Sequence, residues 1–438
     1  MNRSWIRFRE LFVHNRSAAS LTQRTQFVFR GCALLSIIVA LLALTQTIKS
    51  GSRRVPTSAH AVPETYFCLT VQNATTTTPW PTVPFAGIRT WDSCEVSWSE
   101  LNPARGVYDW RHLDALLKLA QSHNVDILYT FGRTPRWASE NPDQKCGYDP
   151  GACLPPAKLE DWDNFVRAIS THAEGRIKYW EMWNEPNQHE YWSGDVATLV
   201  TMAEHAYRIV KSIDPSAQIL SPSAVGGIDD TPDWMSQYFR AGGGPVTDIV
   251  AFHGYGKNPA VPEYVVPLID AVRGVTKQYG QNEKPLWDTE ASWGPVNHLP
   301  DLDDQIAFVA RHYILQWSEG VQRYYWYAWD DESYGTMWER QGNLRKTAVA
   351  YQQVHDWLVG AQLVVPCEEE LTSRWTCQLS RAGRYSALLV WNTEGQKEYT
   401  PPSRFVQLRN LEGETIPIHG SVVIGKQPVL LESELVRQ

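Results

Sequence analysis

Eight short apolar runs spread between residues 66 and 329 constrain this chain more than any other feature. They are 66–72 (YFCLTVQ), 86–91 (AGIRTW), 126–132 (DILYTFG), 178–185 (KYWEMWNE), 218–223 (QILSPS), 248–255 (DIVAFHGY), 285–291 (PLWDTEA) and 323–329 (RYYWYAW). Between them, apolar residues recur at helical spacing over 109–123, 158–173, 196–213, 261–279 and 304–319, as Leu113, Leu116, Leu117 and Ala120 illustrate. The first gap, 73–85, lacks that period and reads as a loop or a degenerate helix. Strands alternating with helices imply a parallel sheet, and eight such units imply closure into a (β/α)8 TIM barrel. One more helix, 344–360, ends at Gly360. Beyond it, alternating stretches at 374–380, 385–391, 403–408 and 420–424, broken by Gly and Pro, predict a small antiparallel, β-sandwich-like domain.

The N-terminal region has a different texture. Residues 31–48 carry no charge; six arginines and one acid precede them, and Lys49, Arg53 and Arg54 follow. This length and imbalance predict a transmembrane helix with the N-terminus in the cytoplasm. A cleaved signal peptide, with Ala59-His60-Ala61 as its small-residue site, is the alternative. The expected order is a cytoplasmic arm (1–30), a membrane segment (31–48), a linker (49–64), the barrel (65–360) and the β-domain (361–438). On either reading the barrel is exported, to the periplasm or beyond. Two close cysteine pairs, Cys146/Cys153 and Cys367/Cys377, read as loop disulfides of an oxidising compartment, leaving Cys68 and Cys94 as a third pair or as free buried thiols.

Composition removes several function classes. The net charge is −8 and the body of the chain has no basic stripe, which argues against nucleic acid as the partner. No Cys-x-x-Cys or His-rich spacing suggests a metal, and no cofactor motif is present. The chain does hold 20 Trp and 19 Tyr, amphipathic plates suited to the C–H faces of sugars or to an aromatic core.

In a barrel of this type the chemistry gathers at the C-terminal ends of strands. Glu185 ends the fourth run, in Trp183-Asn184-Glu185-Pro186-Asn187, and Glu290 ends the seventh, in Trp287-Asp288-Thr289-Glu290-Ala291. Two carboxylates facing each other across a barrel mouth suit glycosidic cleavage, where one protonates the leaving oxygen and the other attacks the anomeric carbon. Asp288, two residues before Glu290 and deeper in the barrel, is a rival nucleophile. Arg89 either supports the nucleophile or pairs with Glu181. His253 is either a hydrogen-bonded core histidine or a contact to sugar or acid. Trp329, ending the eighth run, is the expected sugar platform, with Trp326 as its structural counterpart. Trp91, Asp92, Arg133 and Trp137 follow strands two and three and are candidates for lining the cleft. The loop 147–151 between Cys146 and Cys153 is expected to shape the mouth.

The Trp183–Asn187 pentapeptide with a strand-seven glutamate resembles the retaining clan A glycoside hydrolases. Arg89-Thr90-Trp91-Asp92, followed by Trp98, Pro103, Gly106, Tyr108, Asp109 and Trp110, looks most like family 39. The layout also resembles exported endoglycosidases of bacterial exopolysaccharides. The resemblance implies Glu185 as acid/base, Glu290 as nucleophile, Asn184 on the sugar 2-hydroxyl and Tyr255 beside the nucleophile. The expected function is therefore retaining, endo-acting hydrolysis of an envelope or extracellular polysaccharide. An exo-acting β-xylosidase-like enzyme, a transglycosylase and a membrane-tethered glycan-binding barrel are the alternatives.

Overall fold

The computed structural model describes residues 61–256, 258–339, 344–370, 373–382 and 385–433. Eight parallel strands form its centre: β1 Phe67–Leu69, β2 Gly87–Thr90, β3 Asp126–Thr130, β4 Tyr179–Glu181, β5 Gln218–Leu220, β6 Val250–His253, β7 Leu286–Ala291 and β8 Arg323–Trp326. They are ordered β5-β4-β3-β2-β1-β8-β7-β6. Between β5 and β6 a continuous ladder is replaced by bridges from Leu220 to Ile249 and from Ala224 to Phe252, which complete the ring. Each predicted run contains one of these strands, and each strand is shorter than its run.

Strand parity sorts the side chains into two cores. Cys68, Leu128, Leu220, Ile249, Ala251, Trp287 and Tyr325 fill the barrel interior. Their neighbours of opposite parity, such as Leu69, Ile127, Ile219, Val250 and Trp326, join the larger outer core beneath the helices. Helices α1 Arg111–His123, α2 Leu159–Ala173, α3 Val196–Ile213, α4 Gly227–Arg240, α5 Val265–Gln278, α6 Leu302–Ser318 and α7 Lys346–Leu358 follow β2 to β8 in turn. The gap after β1 holds no regular helix, as its sequence predicts.

The sequence pattern misses α4, because Gly226, Gly227 and Pro232 resemble loop punctuation. Pro232 stands inside the helix as its sixth residue, where it removes one backbone bond, and Trp234, Met235, Tyr238 and Phe239 supply the buried face. Residues 305–318 of α6 are all buried, because this helix is covered on both sides.

The outer cover is an antiparallel β-module: β9 Gln362–Glu369, β10 Arg374–Ser380, β11 Ser386–Asn392, β12 Lys397–Tyr399, β13 Phe405–Arg409, β14 Thr415–Pro417, β15 Val422–Ile424 and β16 Val429–Ser433. Six strands form one sheet, β14-β13-β16-β11-β10-β9, and β12 pairs with β15. Strand β11 shows the logic. Ala387, Leu389 and Trp391 join the core shared with the barrel, while Leu388 and Val390 face a second cluster with Ile424 and Phe405. Trp391 Nε1 donates to Glu263 Oε1 on the barrel at 2.9 Å, and Arg311 of α6 pairs with the same carboxylate at 2.6 Å.

Cys146–Cys153 and Cys367–Cys377 are disulfides. The third pairing does not form: Cys68 and Cys94 are free and buried. Cys68 belongs to the barrel interior, whereas Cys94 sits in the outer core and donates to the Val71 carbonyl at 3.4 Å, so the barrel wall separates them. Burial pushes both thiols up to about 12. The expected membrane segment at 31–48 lies outside the described residues, among which no helix is long and apolar enough to cross a membrane. Peptide mapping after alkylation of the unreduced, denatured chain is expected to find Cys68 and Cys94 alkylated and the other two pairs still linked. A Cys68–Cys94 crosslink would contradict this arrangement.

Candidate active site

Glu185 and Glu290 meet at the C-terminal mouth of the barrel. Beyond β4 the chain keeps bridging to the β5 side: Asn184 pairs with Ser223, and the Glu185 N–H donates to the Ser223 carbonyl at 2.8 Å. Glu185 itself adopts a left-handed conformation, φ +42°, which is uncommon for a side chain of this size and clusters at functional sites. Glu290 is aimed by an irregularity in β7. The register slips against β6 between Phe252 and His253, and against β8 between Asp288 and Ala291. Such bulges re-aim side chains beside active sites.

Asp288 does not compete as a nucleophile. It is fully buried and accepts from the N–H groups of Gly254 (3.0 Å) and Glu290 (3.3 Å) and from Gln316 Nε2, so it pins the irregular turn. Gly254 is required there, since a Cβ would lie 2.1 Å from Asp288 Oδ2.

Beneath the glutamates lies Arg89, fully buried on β2. Its Nε donates to Glu181 Oε2 (2.8 Å), Nη1 to Glu290 Oε2 (2.6 Å) and Nη2 to Asn184 Oδ1 (2.7 Å). Both readings of Arg89 therefore hold at once: it pairs with Glu181 and also with Glu290. Thr130 Oγ1 adds a bond to Glu181 Oε2 at 2.7 Å. Burial disfavours the guanidinium, but the two carboxylates outweigh it and raise its pKa. Tyr255 OH donates to Glu290 Oε1 at 2.9 Å. His253 is fully buried, and its Nδ1 lies 2.8 Å from Glu185 Oε1 and 3.9 Å from Glu290 Oε1. Burial, reinforced by Arg89, holds its pKa well down, so the ring is neutral.

The two glutamates thus differ in their surroundings. Burial and the charge of Glu290 push the Glu185 carboxyl well up, with Asp92 and Glu190 acting in the same direction against Arg89. Burial also raises Glu290, to about 7, with Arg89 and the Tyr255 hydroxyl opposing the rise and Asp92 adding to it. Glu290 has a cation on one oxygen and a phenol on the other, and Glu185 has neither. Of the two, Glu290 is therefore the more readily ionised and Glu185 the more readily protonated. Glu185, His253 and Glu290 each present one ligand atom, all within 4.8 Å of one another. A divalent cation would find three ligands there, but also the fixed guanidinium of Arg89 on Glu290.

A cavity of about 500 Å³ opens above the pair, lined among others by Trp91, Asp92, Asn184, Tyr255, Tyr327 and Tyr334. Three expected lining residues are elsewhere. Trp329 is 1% exposed and packs in the core, because beyond β8 the chain leaves its strand parity, with its N–H on the Thr70 carbonyl at 2.9 Å. Tyr327 takes the cavity position instead. Arg133 is turned away, between Glu100 (3.3 Å) and Asp149 (3.1 Å) and under the Tyr148 ring. Trp137 lies outside the cavity, donating to the Asn102 carbonyl at 2.8 Å beneath Arg105. Sequence reasoning did not single out Gln188, Glu190, Tyr191, His298, Asp331 and Tyr334, which also line the cavity from loops with no periodic signal.

A parallel eight-stranded barrel with two glutamates at the ends of β4 and β7 defines the class: a glycoside hydrolase barrel. The family model described as "Glycosyl hydrolase catalytic core" matches residues 106–351, more than half of the chain, and the chain belongs to that family. A model described as "Beta-galactosidase" matches residues 66–144. A protein named beta-xylosidase from Geobacillus stearothermophilus is 27% identical over 231 residues, 47% of this chain and 45% of the relative. The match thus spans about half the length of that curated relative. Two solved structures share the fold. One, a family 39 glycoside hydrolase from Bacteroides cellulosilyticus, has a TM-score of 0.65 at 19% identity, covering 80% of this chain and 76% of that one. The other, a family 39 beta-xylosidase from Caulobacter crescentus, has a TM-score of 0.63 at 19% identity, covering 86% and 98%. The chain shares its barrel fold with these family 39 structures.

Gly254→Ala is expected to cost roughly 1–3 kcal/mol through overpacking against Asp288. Arg89→Met is expected to cost about 3–5 kcal/mol, since it leaves buried carboxylates without their cation. Urea unfolding of each variant beside the wild type measures both, and an unchanged midpoint for Arg89→Met would contradict the network described.

Proposed function

We propose that this chain is a retaining β-glycoside hydrolase in which Glu185 is the acid/base and Glu290 the nucleophile. The observation that carries the reading is the close spacing of the pair together with its unequal surroundings. An oxygen of each glutamate falls within 4.8 Å of the other, on the scale of the roughly 5–5.5 Å of retaining pairs and well short of the roughly 6.5–9.5 Å of inverting ones. Glu290, held by Arg89 and Tyr255, attacks the anomeric carbon as Glu185 protonates the leaving oxygen. His253 Nδ1 lies 2.8 Å from Glu185 Oε1 and fixes the orientation of that carboxyl. The released Glu185 carboxylate then takes a proton from the water that hydrolyses the covalent glycosyl-enzyme. Asn184 spends its carbonyl oxygen on Arg89, which leaves its NH₂ to donate to the sugar 2-hydroxyl.

The substrate in this reading is an extracellular or envelope polysaccharide cut internally. A cavity of about 500 Å³ with Trp91, Tyr191 and Tyr334 on its walls supports it, being larger than one sugar ring needs. A second reading, exo-acting β-xylosidase-like hydrolysis, is favoured by the names of the curated relatives. Two disulfides support work outside the cytoplasm. Tethering through residues 31–48 rests on the apolar, uncharged sequence there.

The test is turnover of a panel of β-glucans, xylans, mannans, galactose-containing exopolysaccharides and p-nitrophenyl β-glycosides. Glu185→Gln and Glu290→Gln should each lower kcat by at least roughly 10²–10⁴-fold. Proton NMR should show the β-anomer released first; the α-anomer first, or activity surviving both substitutions, would sink the assignment. Product size separates internal from terminal cutting. The pH profile of kcat/KM should be bell-shaped. Glu290 must be ionised, so activity falls as pH drops through about 7; Glu185 must be protonated, so activity falls again at higher pH. A profile flat from pH 5 to 8 would contradict these roles.

A further inference from the structure

The loop closed by the Cys146–Cys153 disulfide has a part that the glutamate mechanism does not use. It carries Tyr148 to the cavity wall, facing Asp92 of the β2 loop. Tyr148 OH donates to Asp92 Oδ2 at 3.0 Å and accepts from Trp91 Nε1 at 3.2 Å. The same Asp92 oxygen accepts from Tyr327 OH at 2.9 Å, and Oδ1 accepts from Gln72 Nε2 at 3.3 Å. A carboxylate offers about four acceptor positions, and this one has three donors from three different loops. It is thereby held rigid on the cavity wall with acceptor capacity remaining.

The loop is anchored from both ends. Arg133 stacks under the Tyr148 ring at 4.5 Å and pairs with Asp149 at 3.1 Å. The Gly147 N–H donates to the Glu190 carbonyl at 2.8 Å, and the Ser193 N–H to the Cys153 carbonyl at 2.7 Å, tying the loop to the segment after Glu185. Without the disulfide, the segment from Cys146 to Cys153 would have to hold Tyr148 in place by these contacts alone.

We propose that Asp92 is a substrate-binding residue that accepts a sugar hydroxyl beside the glutamate pair, and that Tyr148, delivered by the disulfide-closed loop, is its positioning residue. This rests on the glycoside hydrolase reading above. The ligand is a neutral sugar ring with a free hydroxyl donor. Because the clamp exists before substrate arrives, loosening it weakens binding more than it slows bond cleavage.

The experiment measures KM and kcat of the full chain on the glycosides of the panel that the wild type turns over. Tyr148→Phe keeps the ring and removes the hydroxyl; it should raise KM about tenfold with kcat within twofold. Cys146→Ser/Cys153→Ser should do the same, and Asp92→Asn should raise KM further. Cys367→Ser/Cys377→Ser, which opens the disulfide of the β-module, should leave both constants within twofold. Wild-type KM in Tyr148→Phe overturns the proposal, as does a fall in kcat at constant KM. If the Cys146/Cys153 variant fails to fold, Tyr148→Phe decides, since it alters one hydroxyl on a partly exposed side chain. Failure of this inference is separable from failure of the parent reading. Inactive Glu290→Gln beside wild-type Tyr148→Phe sinks only the clamp, whereas active Glu290→Gln sinks the mechanism. A panel with no turnover at all overturns both.

Discussion

A single buried guanidinium joins three strands of this barrel. Arg89 rises from β2 and reaches Glu181 on β4, Asn184 just beyond it, and Glu290 on β7. Removing so many charges from water is costly, and the arrangement is tolerable only because every nitrogen of the planar fork has an acceptor. Lysine, a single point charge, could not serve three acceptors in those directions. The network also fixes side chains that the proposed chemistry needs. The Asn184 amide can turn only one way, and one oxygen of Glu290 is permanently engaged.

From that constraint follows a difference in surroundings between two residues of the same type. Glu290 is surrounded by donors that favour its charge, while Glu185 sits against a neutral histidine and faces an anion. The same burial that raises both carboxyls leaves them unequal, which is the condition that the proposed acid and nucleophile roles require. Asp288 belongs to the scaffold of this arrangement. It ties the N–H groups of Gly254 and Glu290, so the bulge in β7 that aims Glu290 is held by a neighbouring carboxylate with no room to act elsewhere.

Outside the barrel, packing supports the same geometry. Helix α6 is buried on both sides, between the strands and the β-module, and its Gln316 reaches inward to Asp288. A path of contacts thus runs from the module through α6 to the base of the site. The module is best understood as a cover for apolar surface, since β11 buries alternate residues against the barrel and against its own second layer.

Much of this was legible in the sequence, for a local reason. Strand and helix periods repeat over a few residues, so the eight strands and six of the seven helices after β2 to β8 could be read directly, together with Glu185 and Glu290 near strand ends. Cysteines seven and ten residues apart close short loops, and so their pairing could be read as well. What failed lay where local pattern stops carrying direction. Trp329 follows a strand but not its parity, so Tyr327 faces the cavity and Trp329 packs beneath it. Cys68 and Cys94 are separated by a barrel wall that no spacing reveals. The partners of Arg89, the clamp on Asp92 and the ionisation of the glutamate pair depend on residues up to 255 positions apart in the chain, as with Gln72 and Tyr327. Sequence determined which elements form and which residues end them; only the closed tertiary structure decided which charges meet, because electrostatics acts through space and not along the chain.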